Sequence, residues 1–109
     1  LFEIRDHAGE SSDLLIRNRP LGAALAQCLG GARVVLMRGH GCTVVAESVR
    51  VAVYRAVYTE LNARLQWQAG VLGEVQALTS GEAEATQATN EGQVERPWNL
   101  WRERARGTS

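Results

Sequence analysis

The strongest constraint on this chain is a continuous apolar run, Val34-Val35-Leu36-Met37, that leads directly into Arg38-Gly39-His40-Gly41. Such a run, bounded by turn residues and rich in branched side chains, predicts a strand covered on both faces. After the turn, Cys42, Val44 and Ala46 alternate with Thr43 and Val45, which predicts a second strand at hairpin distance. A histidine therefore stands in the turn with a glycine on either side. Without a Cβ, Gly39 and Gly41 allow backbone conformations closed to other residues and let another group approach closely. Two readings follow. The turn is a plain tight hairpin, or it projects His40 into a cavity as a ligand for zinc or a similar divalent ion.

The flanking segments read as a mixture of helix and strand. Leu1 to Ile4 is short and apolar and predicts a strand, followed by a polar loop over residues 5–12. Leu14, Leu15 and Ile16 predict a further extended run. Asn18 is placed to cap a helix that begins around Pro20. In that helix Leu21, Ala24, Leu25, Cys28 and Leu29 share one face, and Gly30-Gly31 stops it. Ser48 caps the longest helix, whose stripe is Val49, Ala52, Val53, Ala56, Val57, Leu61 and Leu65, ending near Gly70 or Gly73. Thr79 with Glu82 forms a capping-box pattern before another helix, which Pro97 is expected to end or kink near Arg96. Trp98 and Trp101 fall in a final turn or short helix, and the end at Gly107-Thr108-Ser109 is expected to fray. The order predicts an α/β arrangement with the hairpin at its centre and the long helix's stripe on the sheet.

Composition narrows the function classes. The 109 residues fit one small domain, and 45% hydrophobic with 22% charged residues is globular material. Twelve arginines balance twelve acidic residues, so no basic field exists to recruit nucleic acid or an anionic membrane. No apolar run approaches the roughly 20 residues that span a bilayer. Cys28 and Cys42 sit in apolar stretches and no secretory signal is visible, so a reducing cytoplasm is the expected location. The chain opens on Leu1, with Met37 as its one methionine, and is read as the C-terminal portion of a single domain whose N-terminal portion is absent.

Few residues are placed to carry chemistry. A catalytic zinc usually needs three protein ligands and an open position, yet the histidines are only His7 and His40. Cys42 is near, but its strand alternation assigns it to packing. Phosphate loops, Cys-x-x-Cys pairs and Gly-x-Ser-x-Gly elbows do not occur. Tyr54 and Tyr58, four apart, line a pocket or form a helix-packing surface.

Taken together, Val35 to Gly41, Ala52-Val53-Tyr54-Arg55-Ala56-Val57-Tyr58, Leu21 to Ala26, Ala88-Thr89-Asn90 and Val94 to Trp101 resemble the C-terminal half of class II aldolase/adducin family proteins. The resemblance implies an α/β/α sandwich around a largely antiparallel sheet, assembled as a homotetramer with active sites at subunit boundaries. It implies a metal-dependent lyase that cleaves sugar phosphates by retro-aldol chemistry or decarboxylates aromatic acids, with epimerases also in the family. The ion would be divalent, zinc first and manganese second. His40 matches the last metal ligand of the family pattern, whose other two histidines and acidic catalytic residue have no counterpart here, so this chain alone is expected to be inactive. Phe2 to Gly9 resembles the decarboxylase-like branch, in which Arg5 or His7 would meet a substrate carboxylate; His7 reads equally as a solvated loop residue. Adducin-like members offer the other reading, a non-catalytic assembly module.

Overall fold

The computed structural model describes residues 1–107, which form two compact units, divided between residues 46 and 47. The first is organised by the hairpin. Strand β1, Val34–Met37, pairs antiparallel with β2, Gly41–Val44, in the register Val34↔Val44, Val35↔Thr43, Leu36↔Cys42 and Met37↔Gly41. Three residues close the turn, where His40 N–H donates to Met37 O at 3.1 Å. Gly39 lies at φ 69°, in the left-handed region that glycine enters without cost, and a Cβ there would meet Leu14 Cδ1 at 3.3 Å. Pairing makes the side chains of β1 alternate: Val35 and Met37 are buried, whereas Leu36 is 53% exposed. The expectation of a strand covered on both faces is thus corrected within this unit.

The N-terminal strand reduces to a single parallel bridge between Phe2 and Met37. Phe2 N–H donates to Leu36 O at 2.7 Å and Arg38 N–H to Phe2 O at 3.1 Å. Beyond it, residues expected as loop form a one-turn helix α1, Arg5–Ala8, in which the amides of His7 and Ala8 both bond Ile4 O. Gly9, at φ 73°, ends that turn.

Leu14 to Ile16 form no strand. Ser12 Oγ accepts from Leu14 N–H at 3.1 Å, Asp13 Oδ1 accepts from Leu15 N–H at 3.1 Å, and Leu14 itself takes φ 66°. These side-chain bonds give the backbone a turn in place of a ladder, so the apolar run bends instead of extending. Helix α2, Arg19–Leu29, begins as expected: Asn18 Oδ1 accepts from Leu21 N–H at 3.0 Å with Pro20 in the first turn. Its apolar face joins a core of Phe2, Ile4, Leu21, Val35 and Met37, against which Leu14, Ile16, Ala24, Leu25 and Leu29 pack. Cys28, assigned to that face, is exposed.

The second unit is helical. Ser48 caps α3, Val49–Leu72, which packs against α5, Glu95–Gly107. Helix α4, Ser80–Glu91, starts with the expected capping box: Glu82 N–H donates to Thr79 Oγ1 at 3.2 Å and Thr79 N–H to Glu82 Oε2 at 2.8 Å. Pro97 neither ends nor kinks α4. It occupies the first turn of α5, where a missing N–H costs nothing because no partner is available there. Thr108 and Ser109, expected to fray, lie outside the described residues. The aromatic contacts join Tyr54 to Tyr58 with centroids 4.5 Å apart, and both to Trp101 at 6.4 and 6.5 Å. Burial and the neighbouring Tyr58 push the Tyr54 phenol above its ordinary pKa. The α3 stripe is left partly open, with Val49 74%, Leu61 39% and Leu65 52% exposed. No described helix is long and apolar enough to cross a membrane.

The fold is mixed helix and strand, as expected, with a two-stranded antiparallel sheet among the described residues. Two outcomes are expected from this packing. Met37→Ala should lower the stability of the first unit by about 2–5 kcal/mol and Leu36→Ala by less than about 0.5 kcal/mol, read by urea unfolding. In sedimentation, the 109-residue chain should self-associate through its open apolar surface; a monodisperse monomer would contradict this.

Candidate functional site

His40 owes its position to the hairpin. The pairing of Met37 with Gly41 leaves residues 38–40 outside the ladder, and His40 is exposed there, clear of the apolar core. It lines an open cleft of about 580 Å³. Leu15, Ile16, Leu25 and Met37 supply the cleft's apolar lining, and Arg17, Cys42 and Thr43 its polar one. Thr43 Oγ1 donates to Met37 Sδ at 3.2 Å. Cys42, read as a packing residue, is instead exposed and shares the cleft with His40, because register places it opposite the outward Leu36.

Arg5 and His7 are placed elsewhere. The His7 ring stacks on Phe2 with centroids 5.5 Å apart, and it lines a separate cavity of about 250 Å³ with Ala8, Asn18, Pro20 and Leu21. A terminal nitrogen of Arg5 donates to Glu3 Oε2 at 2.8 Å, and Arg5 N–H to Glu3 Oε1 at 3.0 Å. Arg38 Nε donates to the same Oε2. The structure therefore does not bring Arg5 and His7 into the cleft that His40 lines.

Glu3 is a charged centre beside the turn that sequence reasoning missed. The side chain and backbone of Arg5, then Arg38, hold its carboxyl down to about 2 against the opposing effect of desolvation. The Arg5 contact, two residues away, was legible from sequence; the Arg38 contact, from 35 residues away, was not. Arg17 was also missed. Its Nε donates to Asp13, whose carboxyl is lowered first by that bond and then by Leu15 N–H.

A divalent ion needs several donors that converge on one point. Among the described residues no three His, Cys, Asp or Glu side chains converge as metal ligands. His40 and Cys42 are the ligand-type residues of the cleft, one short of the three a catalytic zinc usually takes. The residues of this chain do not by themselves fit the ion.

Comparison with known proteins bears on this region. Residues 4–67 match the family model described as Class II Aldolase and Adducin N-terminal domain. The chain is 38% identical to Decarboxylase tropJ of Talaromyces stipitatus, an alignment covering 84% of this chain and 42% of that protein. It is 41% identical to a 3,4-dihydroxyphthalate decarboxylase of Terrabacter sp., over 59% of this chain and 27% of the relative. The protein of the same name from Arthrobacter keyseri is 44% identical, over 50% of this chain and 22% of the relative. The chain thus spans less than half the length of these relatives.

Glu3 yields a pH prediction. Its carboxyl in the folded chain lies below the ordinary 4.5, so the stabilisation it brings is complete above that value and is lost as pH falls toward about 2. A carbon-13 NMR titration of the glutamate carboxyls should find one midpoint near 2, moved upward by Arg5→Gln. A Glu3 midpoint at the ordinary value would show that the arginine contacts are not populated.

Proposed function

Because the chain belongs to the class II aldolase and adducin family, we propose that it forms part of a lyase that breaks a carbon–carbon bond, by decarboxylation of an aromatic acid in preference to retro-aldol cleavage of a sugar phosphate. The observation that carries this reading is the likeness to three relatives named as decarboxylases, two of them for an aromatic dicarboxylate. A cleft whose lining includes four apolar side chains suits a ring better than a polyhydroxylated chain.

In this reading residues 1–109 are the C-terminal portion of one domain. Their two-stranded sheet belongs to a larger, largely antiparallel sheet of an α/β/α sandwich, and the assembly is a homo-oligomer, by resemblance a tetramer. His40 is one ligand of a divalent ion, zinc or manganese, whose remaining ligands lie outside this chain. When bound, such an ion supplies Lewis acidity toward substrate oxygens. His40 is then a ligand and not a general base.

In the reaction, the bond between ring carbon and carboxylate breaks, its electron pair stays with the ring, carbon dioxide leaves and a proton from solvent takes its place. The apolar side chains of the cleft, together with Arg17, orient the ring. The assignment of Arg5 and His7 to a substrate carboxylate stays part of this proposal; Arg5 bonds Glu3, and His7 lines the smaller cavity.

The test is carbon dioxide release from 3,4-dihydroxyphthalate by the full-length protein that contains this chain. His40→Ala should lower kcat by roughly 100-fold or more, since loss of an outer partner of a ligand alone costs 10–100-fold. The 109-residue chain should bind zinc only weakly and release none. Full activity in His40→Ala would overturn its role as a metal ligand, and no activity in the unaltered full-length protein would favour the adducin-like assembly module.

A further inference from the structure

We propose that Arg17 anchors a substrate carboxylate in the cleft that His40 lines, and that this cleft selects a single-ring aromatic acid carrying a second carboxylate. The inference rests on the lyase reading, which it deepens by naming the group that holds the substrate.

Three observations converge. First, the volume, about 580 Å³, lies within the range of about 300–1,000 Å³ typical of small-molecule sites. Second, apolar side chains from three segments meet beside one cation. Leu15 and Ile16 come from the bend before α2, Leu25 from α2 and Met37 from the end of β1, and Arg17 follows Ile16 directly. Third, the guanidinium is only partly committed. Its Nε donates to Asp13 Oδ2, and its terminal nitrogens have no hydrogen bond or ion pair among the described residues. Asp13 is itself fixed by accepting Leu15 N–H, so it holds Arg17 by one edge and leaves the other free. Two terminal nitrogens in one plane match a carboxylate's two oxygens, a bidentate geometry that lysine does not offer.

The polar groups of the cleft discriminate against a sugar phosphate. Thr43 commits its hydroxyl proton to Met37 Sδ. A polyhydroxylated ligand would lay its hydroxyls against Leu and Ile side chains, where each unpaired group is disfavoured. A ring with a carboxylate at one edge sets its apolar face against those side chains and its charge against Arg17.

Electrostatics assigns which carboxylate Arg17 holds. Loss of carbon dioxide removes negative charge from the departing carboxylate and places it on the ring. A cation on that carboxylate would stabilise the starting state more than the transition state. Arg17 therefore holds the carboxylate that is retained, and the departing one is turned away from it, which requires two carboxylates on the substrate. Its side chain is 65% exposed, so water screens the pair and the affinity from this contact alone is modest.

The experiment uses phthalate as the probe, titrated into the labelled 109-residue chain with no added metal and read by the NMR signals of Ile16, Leu25, Met37 and Thr43. Saturable binding is expected, weakened at least tenfold by Arg17→Gln and partly restored by Arg17→Lys, while the α2 amide signals show that the fold is kept. Dimethyl phthalate, with the ring but no charge, should bind at least tenfold more weakly. The inference is overturned if Arg17→Gln binds phthalate as the unaltered chain does, if the diester binds equally well, or if glycerol phosphate displaces phthalate at comparable concentration. Binding that depends on Arg17 in a full-length protein without decarboxylase activity would overturn the lyase reading alone, and decarboxylation with KM unmoved by Arg17→Gln would overturn this inference alone.

Discussion

The first unit depends on one short stretch of backbone pairing, the bridge that sets Phe2 beside Met37. Two hydrogen bonds, from Phe2 N–H to Leu36 O and from Arg38 N–H to Phe2 O, give the N-terminal segment its register. Register then decides burial: Phe2 and Ile4 enter the core, and Glu3, between them, reaches the turn at Arg38. Had the segment slipped by one residue, every side chain would have changed faces. The ion pair does not replace this pairing. Three donors on one carboxylate shift its titration strongly, but the Glu3 and Arg38 side chains are 23% and 37% exposed, where water screens an ion pair. Burial and the ladder hold the segment, and Glu3 orients what the ladder has placed.

The His40 cleft is a consequence of the same packing and of a bend. Its lining comes from the residues before α2, from α2 and from the hairpin, segments far apart in the chain that meet because α2 and β1 share a core. The left-handed Leu14 turns the chain so that Leu15, Ile16 and Arg17 face the hairpin turn and do not continue as a strand. Leu14 also lies where a Cβ on Gly39 would press. Bend and turn are thus fitted to each other, which couples the shape of the cleft to the conformation that carries His40.

The second unit is held together differently. Among its described residues Val94 is the buried apolar side chain, and the unit relies on caps at Ser48 and Thr79 and, between segments, on the aromatic contacts of Tyr54 and Tyr58 with Trp101 and the ion pairs of Arg55 with Glu47 and Glu91. The caps act within a few residues and define the helices, while the contacts between segments bury little apolar surface. An α3 stripe left partly open to solvent is what such a unit presents.

The sequence by itself determined the elements whose causes are local. Asn18, Ser48 and the Thr79 with Glu82 pair each begin a helix where a side-chain oxygen meets an orphan amide, and Gly39 marks the turn because the backbone there needs φ 69°. His40 was legible for the same reason, as a histidine between glycines at a strand end. Tertiary structure decided what depends on distant partners. Phe2 pairs with Met37 and Glu3 with Arg38 across gaps of 35 residues, for which no periodicity exists in the chain. Leu14 to Ile16 read as a strand, but a strand needs a neighbour with a free edge, and the Ser12 and Asp13 side chains took the amides first. Pro97 read as a stop, and only the position of α5 made it a start. The pairing of Arg17 with His40 in one cleft belongs to the second kind, since packing alone brings residues from opposite sides of α2 to a common space.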